Sequence, residues 1–68
     1  MDFRVEAEFR GENGNAHNFA YDFKSDSHLG ALATMAKECE PTFDEIEKNG
    51  LKMVNFKFLK NGVLFLSE

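Results

Sequence analysis

Residues Asp2-Phe3-Arg4-Val5-Glu6-Ala7-Glu8-Phe9-Arg10 alternate without a break. Phe3, Val5, Ala7 and Phe9 share one face; Asp2, Arg4, Glu6, Glu8 and Arg10 share the other. Strict period two marks a half-buried strand. Residues 16–24 repeat the pattern, with His17, Phe19, Tyr21 and Phe23 on one face. Gly11-Glu12-Asn13-Gly14-Asn15 between them reads as a turn, and burial decides its length. A two-residue Asn13-Gly14 turn sets Val5 opposite Asp22 and Phe9 opposite Asn18. A three-residue loop, Glu12-Asn13-Gly14, sets Phe9 opposite His17, Ala7 opposite Phe19, Val5 opposite Tyr21 and Phe3 opposite Phe23. A slip of one residue turns a whole strand over, so burial selects the three-residue loop, with Gly14 in the left-handed position of a bulge.

Beyond this hairpin the period changes. Ser25-Asp26-Ser27 supplies helix N-cap residues, and Leu29, Leu32, Ala33, Ala36 and Cys39 follow at helical spacing. Ala31 and Met35 widen that stripe. Pro41 is expected to stop the helix at or near Glu40. Thr42-Phe43-Asp44-Glu45 fits a capping box for a second short helix carrying Phe43 and Ile46, ended by Asn49-Gly50. Residues 51–59 return to period two, with Val54, Phe56 and Phe58 together. Asn61-Gly62 signals a two-residue type I′ turn. It pairs Lys60 with Val63, Leu59 with Leu64, Phe58 with Phe65 and Lys57 with Leu66.

The fold class is α+β. The element order is ββαββ: a two-layer arrangement of a four-stranded, mainly antiparallel sheet with one main helix, and room for the second short one, on one face. The inner sheet face carries Phe3, Val5, Phe9, Phe19, Tyr21, Phe23, Val54, Phe56, Phe58 and Phe65, and Leu29, Leu32, Ala36 and Cys39 lie on it. Strand order 2-1-3-4 keeps every neighbour antiparallel; 2-1-4-3 centres the apolar last strand. Both remain open.

The chain has 68 residues, one Cys and a net charge of −4. That length is one domain with a small core, which commonly needs help from a disulfide, a metal or a partner. One Cys excludes an internal disulfide. The start carries no signal-like segment, and Val63-Leu64-Phe65-Leu66 is far too short to span a membrane. The expectation is a soluble, reduced, cytoplasmic protein.

Few residues suggest catalysis. Cys39 falls on the apolar helical stripe, far from any activating helix N-terminus. His17, His28 and Cys39 recur every eleven residues, unlike the short paired spacing of zinc sites. Asp44, Glu45 and Glu47 lie on a short solvated segment, with no apolar pocket nearby in sequence for acid–base work. No glycine-rich phosphate loop is present. We therefore expect no enzyme, no metal, no cofactor, no membrane and no small-molecule substrate.

Charge is segregated. Glu38, Glu40, Asp44, Glu45 and Glu47 form an acidic run, and Lys48, Lys52, Lys57 and Lys60 a basic one. The acidic run is a possible docking surface that mimics phosphate in a basic site. The lysines support an alternative reading as a nucleic-acid-binding module, although Lys57 alternates away from Phe56 and Phe58 and the overall charge is acidic.

The last hairpin has two apolar faces. Opposite its Phe face stand Met53, Leu59, Leu64 and Leu66, beside Asn55, Lys57 and Glu68. A single helix cannot cover both sides of a sheet. Met53, Leu59, Leu64, Leu66 and Lys57 are therefore the candidate interface, unless residues 41–50 fold over it or a curled sheet buries the Val63–Leu66 strand on both sides. Burying three leucines is worth roughly 5–8 kcal/mol before association costs. The reading is a small non-enzymatic protein–protein interaction protein, an adaptor or inhibitor, forming a homodimer by back-to-back sheet stacking with Arg4, Glu6, Glu8 and Arg10 at the rim. In size and class it is reminiscent of small phage or mobile-element accessory proteins that block host factors.

Overall fold

A computed structural model describes residues 1–67, with side chains through Phe65. The elements are β1 (Asp2–Arg10), β2 (Ala16–Lys24), α1 (His28–Lys48), β3 (Lys52–Lys60) and β4 (Val63–Ser67). They form one four-stranded sheet in the order β2-β1-β3-β4, antiparallel at every junction, with the helix between β2 and β3 in sequence. No helix among the described residues is long and apolar enough to cross a membrane.

The first hairpin takes the register that burial demands. Phe9 faces His17, Ala7 faces Phe19, Val5 faces Tyr21 and Phe3 faces Phe23. Gly11 N–H donates to the Asn15 carbonyl at 2.9 Å, Gly14 N–H donates to the Gly11 carbonyl at 3.2 Å, and Gly14 has φ +83°. This is the three-residue loop with its left-handed glycine.

The helix departs from expectation. It runs unbroken from His28 to Lys48 through Pro41. Pro41 is exposed, so its missing N–H frees the Lys37 carbonyl on the solvent side, where water can bond it. Beyond it, Phe43 and Ile46 are buried and hold the last turns down. At 1.5 Å per residue, 21 residues span about 31 Å, the length of a nine-residue strand. The Ser27 hydroxyl accepts from Gly30 N–H at 3.0 Å to cap the start, and Asn49-Gly50 ends the helix, with Gly50 at φ +89°.

Continuity also sets the roll. The buried stripe is Ala31, Cys39, Phe43 and Ile46, with Met35 packed alongside. Leu29 and Leu32, expected on the sheet, stay exposed, Leu29 at 79%. Ala36 is exposed as well. Phe43 decides this. Its ring lies 5.6 Å from Phe9, 5.1 Å from Phe19 and 6.5 Å from Phe56, and no short polar-faced segment could offer as much apolar area. Residues 41–50 therefore pack on the inner face and do not cover the outer leucines.

Two bulges revise the second half of the sheet. Glu8 faces Asn55 but Phe9 faces Met53, so Val54 is the extra residue. Below the bulge the strand is turned over. Met53 packs against the core and Val54 is 54% exposed, the reverse of the alternation expected. In the second hairpin Lys60 faces Val63 and Leu59 faces Leu64, as expected, but Phe58 faces Leu66 and Lys57 faces Ser67. Phe65 is the extra residue there. It still reaches the inner side, 5.7 Å from Phe58 and 4.7 Å from His28.

The turn joining β3 and β4 has Asn61 at φ +50° and Gly62 at φ +81°, a type I′ pair. Asn61 also ties this turn to β1: Asp2 N–H donates to Asn61 Oδ1 at 2.9 Å, and Asn61 N–H donates to the Asp2 carbonyl. Asn61→Ala loses the side-chain bond and sets a Cβ without polar compensation in the left-handed region. It should cost about 1–2 kcal/mol in urea unfolding. Asn61→Gly, which keeps the turn and loses only the bond, should cost less than half as much.

Candidate functional site: the free edge of β4

The core is a layer of phenylalanines. Phe3, Val5, Phe9 and Phe58 are essentially fully buried, and Phe56 nearly so. The helix lies over the two central strands, β1 and β3. A helix is about 10 Å wide, whereas four strands span about 15–19 Å. Both margins of the inner face are thus left open. On the β2 margin Phe19, Tyr21 and Phe23 are half-buried against the core. On the β4 margin Val63 is 69% exposed and Phe65 38%.

The two sheet edges differ in chemistry. β2 presents Asn18, Asp22 and Lys24, the charged and polar residues that ordinarily guard a strand edge. β4 reads Val-Leu-Phe-Leu-Ser and carries no charge. Its turn geometry makes Lys60 and Val63 the hydrogen-bonded pair that closes the hairpin. The next pair, Leu59 and Leu64, is then non-hydrogen-bonded, and the Leu64 N–H and C=O point away from β3 toward the free edge. Leu64 itself is 54% exposed on the outer face, next to half-buried Leu59.

The expected outer leucine patch is therefore smaller than its sequence suggests. Met53 has left it for the core margin. Leu59, Leu64 and Lys57 remain on the outer side, whereas the Leu66 side chain and Glu68 lie outside the described residues. What was not expected is the exposure of Val63 and Phe65. The available signal was the uncharged five-residue strand after Gly62, read against the narrow span of one helix.

The rest of the outer face is occupied with itself. Arg4 Nε bonds Glu6 at 2.7 Å and Arg4 Nη1 bonds Asp22 at 2.8 Å; Arg10 pairs with Glu8 at 3.0 Å. Hydrogen bonds to Glu6 and then Asp22 push the Arg4 pKa further up. These are exposed pairs of small energetic worth, but they leave a solvated and electrically balanced surface. An open depression of about 330 Å³ lies among them, between Asn18, Ala20 and Lys57.

The other candidates do not converge. His17 packs beside Phe9 and His28 beside Phe3, and six residue steps along β1, about 20 Å of strand, separate the two. Among the described residues no three His, Cys, Asp or Glu side chains gather as metal ligands. The acidic residues divide by helical geometry. Glu40, Asp44 and Glu47 recur at four and three residues on one flank of the buried stripe, and Glu38 and Glu45 fall on the other. The lysines also scatter. Lys48 ends the helix, Lys52 stands opposite Arg10, Lys57 opposite Glu6 on the outer face, and Lys60 opposite Phe3 toward the inner one.

Cys39 is fully buried in the core. Burial pushes its thiol pKa up, and the neighbouring charge of Glu38 adds to the rise. A raised pKa lowers the thiolate fraction at pH 8, and the core blocks access. Native Cys39 should react with a thiol reagent on the order of a hundredfold more slowly than in denaturant. Reaction at the denatured rate would contradict the buried placement.

The chain matches no protein-family profile, no curated protein sequence and no solved structure.

Proposed function

We propose that this chain is a small non-enzymatic protein-binding domain whose contact surface is the free edge of β4. One observation supports this above the others. β4 is an uncharged apolar strand with an open edge, in a sheet whose opposite edge is charged. An exposed edge of that kind is a template for strand addition, in which backbone hydrogen bonds supply affinity and alternate side chains supply specificity. Here Leu64 offers the backbone groups, while Val63 and Phe65 offer apolar contact on the inner side.

A photo-reactive residue placed at Leu64, compared with one at Ala20 on the far side of the outer face, tests the reading. In its native host the chain should give protein adducts from position 64 and few or none from position 20. Absence of adducts from position 64, or equal labelling from both positions, would reject the β4 edge as the contact surface.

A further inference from the structure

We infer that β4 pairs edge to edge with β4 of a second copy, antiparallel about a two-fold axis centred on Leu64, to give a continuous eight-stranded sheet. The inference rests on the reading of the β4 edge as the contact surface, and names its occupant.

Self-complementarity carries it. Leu64 has its N–H and C=O directed outward, so it can form the hydrogen-bonded pair with its own copy. That register sets Val63 opposite Phe65 of the second copy, and Phe65 opposite its Val63. Among the described side chains of the strand, the three exposed apolar ones, at 69%, 54% and 38% exposure, each meet an apolar partner. On the outer side Leu59 and Leu64 of the two copies join in one row of four leucines. No charge stands between Val63 and Ser67 to be opposed by its like. All existing junctions are antiparallel, so the new one continues the pattern. A strand placed beside its own copy is isologous, the commonest symmetry of soluble dimers.

The chain exposes 4701 Å², against about 4,400 Å² for a typical monomer of 7.8 kDa. The chain is long and thin, 40 × 21 × 16 Å, and a shape of that kind carries more surface than a compact body of the same mass. The bulge at Phe65 ends the regular ladder early, so the contact rests on side chains around Leu64 more than on ladder length.

This arrangement is not the back-to-back stacking of outer faces. The two-fold axis is perpendicular to the sheet, both helices stay on one side, and the Arg4, Glu6 and Asp22 network remains in water.

Sedimentation equilibrium over tens to hundreds of micromolar tests it, on the wild type and three variants. The wild-type mass should rise toward twice the 7.8 kDa chain. Leu64→Lys sets two ammonium groups on facing strands and should weaken association on the order of tenfold or more, with its circular dichroism unchanged. Ala20→Arg, on the outer face away from the edge, should dimerise as the wild type does. Leu64→Cys should form a disulfide-linked dimer on mild oxidation, because the paired Cα atoms would stand about 5.5 Å apart, within disulfide range. Buried Cys39 stays silent in that assay, which also holds if Leu64→Lys fails to fold.

A wild type that remains one chain at every concentration overturns the inference, and so does a dimer that is lost in Ala20→Arg or kept in Leu64→Lys. Adducts of other masses from a photo-reactive position 64 would then leave the edge reading standing with a different occupant. Absence of any adduct would remove both.

Discussion

Replacing Phe3 with Ala should leave little folded protein at 37 °C. Phe3 is 2% exposed. Its ring stacks on Phe23 at 5.7 Å, meets Phe58 at 5.6 Å, and approaches Phe65 and His28 at 6.4 and 6.3 Å. It therefore joins β1 to β2, β3, β4 and the start of the helix. Truncating a buried Phe costs about 3–5 kcal/mol through lost transfer energy and the cavity left behind. A 68-residue domain has about 3–10 kcal/mol of stability in total. The melting temperature should fall by at least about 15 °C. Phe3→Leu, which fills most of the volume, should lose less than half of that. A fall of only a few degrees for the Ala variant would mean that the phenylalanine layer does not hold the strands together.

Pro41→Ala should have a large effect of the opposite sign. A proline inside a helix costs about 3 kcal/mol relative to alanine, because it removes one hydrogen bond and crowds the preceding turn. Pro41 is exposed, so its replacement sacrifices no packing. The proline returns about 0.4–1 kcal/mol by restricting the unfolded chain, which leaves a net gain of about 2 kcal/mol. The melting temperature should rise by about 10 °C. Pro41→Gly, which restores the N–H but not the helix propensity, should gain clearly less. An Ala variant no more stable than the wild type would mean that residues 42–48 are not held as a continuation of the same helix.

The origin of these two effects also shows what was legible in the residues. The register of the first hairpin could be read because Phe3 to Phe9 alternate perfectly and only one loop length keeps both apolar faces together. The two bulges could not. Met53 and Val54 are neighbours of equal polarity, so no pattern says which one points inward. The same holds for Leu64, Phe65 and Leu66. A bulge is one extra residue, and it becomes visible in a sequence only where it exchanges an apolar side chain for a polar one.

The helix misled for a different reason. Pro41 and the capping sequence from Thr42 to Glu45 are local signals, and both favour a break. What overrides them is non-local: the burial of Phe43 against Phe9, Phe19 and Phe56. Once the helix continues, the roll follows from the stripe that runs its whole length, Ala31, Met35, Cys39, Phe43 and Ile46. Leu29 and Leu32 belong to the shorter stripe of a helix that ends at Glu40. The β4 edge was half legible. Its apolar character is plain in Val63 to Leu66, but its place at the margin depends on strand order, and no residue encodes that by itself.

Pairing of the free β4 edge with its own copy should be visible in backbone amide exchange at Leu64, measured by NMR at tens of micromolar and again near one millimolar. The Leu64 N–H has no partner direction within its own chain. It should exchange rapidly in the dilute sample and become protected at least about tenfold as pairing fills the edge. The Asn18 N–H, directed outward from the charged β2 edge, should exchange rapidly in both samples. Leu64 exchange that is equally rapid at both concentrations, or protection that arises at Asn18 instead, would contradict the pairing of β4 with its own copy.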